Sequence, residues 1–151
     1  MDKKKIKELF YVEPKAFHSK IESYYKDDKN VKALAEELGE MLNKIANGLS
    51  YRSNFINYTY RDEMVGDALV KMFAALKFKK YKLDRGGCSF GYFTSIAWNA
   101  FVNRIKKEKK HHETINEYRE QKYEEMLTTG KINIYVKPTI DSLEETNYFE
   151  Q

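Results

Sequence analysis

Seven apolar residues, Val31, Leu34, Leu38, Met41, Leu42, Ile45 and Leu49, follow one another at spacings of one, three and four. An α-helix turns once every 3.6 residues, so this spacing lays them in one stripe along one face. A face of that length is buried only against other elements of comparable length. The spacing predicts a helix from Val31 that closes near Gly48 and packs into a helical bundle. A second broad apolar face, with Met64, Val65, Ala68, Leu69, Met72, Phe73, Ala75 and Leu76, predicts a helix over about residues 61–77.

Composition supports the same fold class. Lys, Glu, Leu, Ala and Met are good helix formers and abundant, whereas the 151 residues hold only seven Gly and two Pro. The expectation is an all-α, compact helical bundle with an extended C-terminal tail. Residues 1–30 read as N-terminal helices, because Pro14 suits a first helical turn and cannot continue a preceding helix. Residues 31–112 form the core unit, 113–137 a polar helix and connector, and 138–151 a tail.

A third helix is expected to begin near Phe90, after the turn-forming "KYKLDRGGCS". At 100° per residue Phe90, Phe93, Ala97, Phe101 and Ile105 share a core-facing side, with Trp98 and Val102 at its flank. Tyr92, Asn99, Asn103, Lys106 and Lys110 fall opposite, as one outward row of aromatic, amide and ammonium groups. That row runs into a basic block. Residues 99–112 carry Arg104, Lys106, Lys107, Lys109 and Lys110 against Glu108, a net +4, while residues 138–151 carry four acids and no base. A basic patch and a separate acidic tail suggest two different partners.

Catalytic and metal chemistry find little support. Cys88 is the only cysteine, which excludes an intramolecular disulfide and a Cys-rich zinc site. His18, His111 and His112 have no metal-binding spacing and read as solvated groups adding partial charge to a basic surface. Gly86 and Gly87 lack the Lys and Ser or Thr of a phosphate loop and read as a turn. No enzyme activity, cofactor or metal is expected. The start "MDKKKIKELF" has no signal-like apolar stretch, and no apolar run reaches membrane-spanning length, so a cytoplasmic protein is expected. Nucleic-acid binding fares better. Lysines that reach phosphates release counterions, Tyr stacks on unpaired bases, and Asn bonds to base edges.

The order of these parts resembles a known family. "LDRGGCSFGYFTSIAWNAFVNRI" is similar to the loop and helix of bacterial sigma factors in which an Asp and Arg-Gly turn leads to spaced aromatics and a basic helix end. "DEMVGDALVKMFAALKF" is similar to the sigma helix that grips the polymerase clamp. "YVEPKAFHSKIESYYK", "IANGLSYRSNFINYTYRDEM" and above all "NAFVNRIKKEKK" resemble the late-transcription sigma factors of T-even-type bacteriophages, and the likeness covers roughly residues 11 to 112.

The resemblance implies the central, second domain of a sigma factor, working in the cytoplasm of an infected bacterial host. It would bind host core RNA polymerase and melt an A/T-rich, TATA-type element of late promoters. Glu63, Asp67 and Phe73 would meet the β′ clamp coiled-coil. Phe90, Tyr92, Phe93, Ile96, Asn99, Ala100, Asn103 and Arg104 would capture the non-template strand, with Lys106, Lys107, Lys109 and Lys110 on the DNA backbone. Leu143, Tyr148 and Phe149, set among acids, would hold the β-flap tip, and a sliding-clamp co-activator is a further partner that the family raises. Two departures stand out. Primary sigma factors carry a tryptophan pair where this chain has Ile96 and Ala97, and a base-reading Gln where it has Ala100, which leaves base reading to Asn99 or Asn103. Two rival readings are a polymerase-binding regulator that occupies the clamp without promoter recognition, and a general single-strand binder.

Overall fold

The computed structural model describes residues 2–26 and 29–130, and among these the chain is helical with no strand. Five α-helices follow in order: α1 (Lys3–Leu9), α2 (Pro14–Lys26), α3 (Val31–Ser50), α4 (Arg61–Lys77) and α5 (Ser89–Thr128), with a single 3₁₀ turn at Leu83–Arg85. α2 starts on Pro14, whose fixed φ and missing N–H suit that position. α4 has Asp62 and Glu63 in its first turn and Lys77 in its last, charges that complement the helix dipole at both ends.

The core forms where the stripes meet. α3 contributes Leu38, Leu42, Ile45, Ala46 and Leu49, and α4 contributes Met64, Ala68, Met72, Ala75 and Leu76. α5 adds Phe93, Ala97, Ala100 and Phe101, and α2 adds Phe17 and Ile21. Phe17 meets Phe93 edge-on at 5.5 Å between ring centroids, which joins α2 to α5. Phe55, from the 51–60 connection, packs edge-on against Trp98 at 4.8 Å and Phe101 at 5.0 Å, so the Trp98 flank is covered by a loop. α1 buries no residue. It lies across α3, where Gly48 allows close approach: a Cβ there would stand 3.1 Å from Phe10 Cβ.

α4 closes with Lys80 N–H donating to the Ala75 carbonyl and Lys79 N–H to the Leu76 carbonyl, while Lys79 takes a positive φ of 51°. These are the paired bonds that satisfy the last carbonyls of a helix, here with Lys in the left-handed position that glycine usually takes. The connection 78–88 is then pinned by the Tyr25 hydroxyl donating to the Tyr81 carbonyl and the Tyr81 hydroxyl donating to the Gly87 carbonyl.

α5 runs on through the polar stretch after residue 112: Ser89–Thr128 is one helix of 40 residues, about 60 Å long. All its fully buried residues lie between Ser89 and Phe101. Beyond Phe101 its residues are half-buried at most, and pairs one turn apart, such as Lys122 with Glu125 at 2.9 Å, add to its backbone ladder. It stops at Gly130, with φ 70°, whose N–H donates to the Leu127 carbonyl. No described helix is long and apolar enough to cross a membrane.

Candidate nucleic-acid interface

α5 is the element that positions the basic block. Its first half is anchored by Phe93, Ala97, Ala100 and Phe101, so the opposite side has to face outward. Asn99, Asn103, Lys106, Lys107, Lys109 and Lys110 are all exposed. Successive steps of four, three and four residues keep Asn99, Asn103, Lys106 and Lys110 within roughly 60° of one another around the axis. Amides and ammonium groups therefore form one continuous exposed strip.

The other residues of the expected strip are placed differently. Phe93 and Ala100 lie in the core and are closed to direct contact. Phe90 is half-buried against Phe17, edge-on at 6.5 Å, and Ile96 is half-buried at the core edge. Tyr92, expected on the outward row, is half-buried: its ring sits 5.2 Å from Tyr81 and 5.4 Å from Phe93. The wheel treats α5 as an isolated rod, whereas the 78–88 connection folds back over its first turn and covers one side of Tyr92. Nearby Tyr25 has its hydroxyl pKa pushed up to about 12, first by burial and then by the neighbouring Tyr92, Tyr24 and Tyr81.

Arg104 does not join the free cations. Its Nε donates to Asp67 Oδ2 at 2.6 Å and its Nη2 to Asp67 Oδ1 at 2.8 Å, while Nη1 reaches Glu108 Oε1 at 3.3 Å. The hydrogen bond from Arg104 is the main cause that holds the Asp67 carboxyl below its ordinary range, and the same pair raises the Arg104 guanidinium further. Asp67, which the resemblance places toward the polymerase clamp, thus commits its carboxylate to a pair within the chain. The exposed face of α4 instead presents Glu63, Val70 at 70% and Phe73 at 43% exposure, with Phe78 at 67% just beyond the helix. Large apolar side chains at such exposure on one face mark a surface suited to a partner.

A second basic surface was missed in the sequence reading. Lys77, Lys79, Lys80, Lys82 and Arg85 stand against Asp84 alone, a net +4, and all five are exposed. Their clustering within nine residues is visible in the sequence, but it is divided between the expected end of one helix and the turn that follows. The surface adjoins the start of α5, so roughly 27 Å of helix separates it from Lys107. In chain order one basic surface precedes α5 and the other follows Asn103 on it.

The histidines also need correction. His18 is half-buried: its Nδ1 lies 3.0 Å from Ser89 Oγ and its Nε2 3.1 Å from Glu22 Oε1, so it ties α2 to the first residue of α5. His112 is half-buried beside Asn116, at 3.2 Å, and only His111 matches the expectation of a solvated ring. Among the described residues no three His, Cys, Asp or Glu side chains are grouped to hold a metal ion. Leu143, Tyr148 and Phe149 lie outside the described residues. Comparison of the chain with protein-family models, with curated proteins and with solved structures gives no match.

Proposed function

We propose that the chain is a phage-type sigma factor that binds host core RNA polymerase and directs initiation at A/T-rich late promoters. The observation that carries this reading is the exposed strip Asn99, Asn103, Lys106 and Lys110 on the helix that is anchored by its other side. Ammonium groups hold phosphates without regard to sequence, and amides read base edges. The motif resemblance supplies the partner, and the exposed Glu63, Val70 and Phe73 face of α4 gives a surface for the β′ clamp.

Base extrusion costs a few kcal/mol, least at flexible A/T steps, and contacts on the protein have to offset it. Asn99 and Asn103 supply base-edge contacts, and the two basic surfaces hold the backbone on either side. Arg104 acts in this scheme as a brace between α4 and α5, and Phe93 and Ala100 as the floor that fixes the strip's orientation. Delivery by polymerase raises the effective DNA concentration, so the free chain binds promoters weakly. The acidic tail with Leu143, Tyr148 and Phe149 is assigned to the β-flap tip, and the site of action to the cytoplasm of the infected host.

The clamp-occupying regulator uses the same α4 face, and Val70 and Phe73 would serve it equally well. In vitro transcription with core enzyme and start-site mapping on A/T-rich templates separates the two. Initiation at defined sites is expected, and inhibition without defined starts would assign the chain to the regulator.

A further inference from the structure

Away from the amide strip, a groove of about 700 Å³ opens between α1, the start of the 51–60 connection and α3. Phe10, Ile45, Leu49 and Phe90 contribute to its apolar floor. Lys3, Lys7, Lys44 and Arg52 line its edges, and among the described residues no carboxylate does. In a chain with 23 acids that one-sided rim is a distinct local field.

The groove is also incompletely covered. α1 buries no residue of its own, Tyr11 on the groove wall is 60% exposed and Leu9 beside it 55%. The opposite wall is firm. Tyr51 stacks on Phe10 at 5.5 Å with 17° between the planes, and the Arg61 guanidinium lies 4.0 Å from the Tyr51 ring centre and donates to its hydroxyl at 3.2 Å. A half-covered helix against a firm wall gains apolar burial when a third element enters.

We propose that this groove docks an acidic peptide segment of a partner protein, whose leucine or aromatic side chains fill the floor while its carboxylates meet Lys3, Lys7, Lys44 and Arg52. A groove of this size accepts a few anchor side chains at helical or extended spacing. The rim charge selects acidic over basic segments and speeds encounter, and the apolar floor favours peptide over nucleic-acid backbone. The site is separate from the amide strip and from the α4 face, although Phe90 of α5 forms part of its floor.

The test uses the full chain and a short fluorescein-labelled peptide of glutamate, leucine and phenylalanine, with the lysine-for-glutamate peptide as control, followed by anisotropy. Saturable one-to-one binding that weakens as salt rises is expected for the acidic peptide alone. Lys44→Glu with Arg52→Glu, both exposed positions, should weaken it by about tenfold with an unchanged circular dichroism spectrum. Ala at Lys106, Lys107, Lys109 and Lys110 should leave it unchanged. Binding of both peptides alike, no saturable binding, or a loss confined to the 106–110 variant would overturn the proposal. So would tighter peptide binding on removal of residues 138–151, or self-association abolished by Lys44→Glu, which assign the groove to the chain's own tail or to a second copy.

Discussion

Arg104 and Asp67 meet through two hydrogen bonds, 2.6 and 2.8 Å long, that join α5 to α4 at the point where the buried part of α5 ends. The pair braces two helices whose outer faces are assigned to different partners. Two-pronged contact of this kind fixes relative orientation as well as adding stability. A double-mutant cycle with Arg104→Gln and Asp67→Asn should give a coupling of about 1 kcal/mol, because both side chains are partly exposed. Denaturant unfolding measures it, and additive single effects would remove the brace.

Asp67 also sets a pH dependence. Its folded pKa is lowered by Arg104, so the unfolded chain takes up the proton more readily. The stabilisation is present above the unfolded value of about 4 and is lost as pH falls through the lower folded value. Thermal melts of Asp67→Asn should therefore lose part of the wild-type's acid sensitivity below about pH 4. An unchanged acid profile would assign that sensitivity to other carboxylates.

Among the described residues the buried Tyr60 hydroxyl has no hydrogen-bond partner, and its pKa is pushed up to about 12 by burial, then by Tyr58 and Glu108. Removing an unsatisfied polar atom relieves its desolvation cost, so Tyr60→Phe should raise stability by about 1 kcal/mol. A raised tyrosine pKa gives stability that is full below the unfolded value of about 10 and declines as pH rises toward the folded one. Tyr60→Phe should accordingly soften the alkaline decline between about pH 10 and 12. Destabilisation by this change would indicate a partner for the hydroxyl.

Replacing Lys106, Lys107, Lys109 and Lys110 by Ala should weaken the promoter complex with core enzyme and flatten its salt dependence by up to about 0.9 per lost phosphate contact. The same replacement at Lys79, Lys80, Lys82 and Arg85 should flatten it further if both ends of α5 hold DNA. Filter binding across a salt series gives the slopes, and an unchanged slope removes the corresponding surface from the interface.

Much of the fold was legible because its signals are local. The α4 stripe gave bounds of 61–77, matching Arg61–Lys77, and Pro14 marks the start of α2 as read. α3 runs two residues past Gly48, which is a point of close approach to Phe10 rather than the helix end. What escaped depends on tertiary neighbours. Tyr92 is drawn toward Tyr81 by a loop that a single-helix wheel cannot contain, and Arg104 is matched to Asp67 across 37 residues. The second half of α5 is legible only as a polar helix, because beyond Phe101 no fully buried face marks it and good helix formers carry it instead.

Permanganate reactivity of non-template thymines, in mixtures of core polymerase and this chain on an A/T-rich late-promoter fragment, tests promoter opening most directly. We expect reactive thymines upstream of the start only when both proteins are present, with reactivity lowered by Asn99→Ala and Asn103→Ala while core binding is unchanged. No chain-dependent reactivity, or full reactivity after both asparagines and the four lysines are replaced, would contradict the assignment of α5 as the promoter reader.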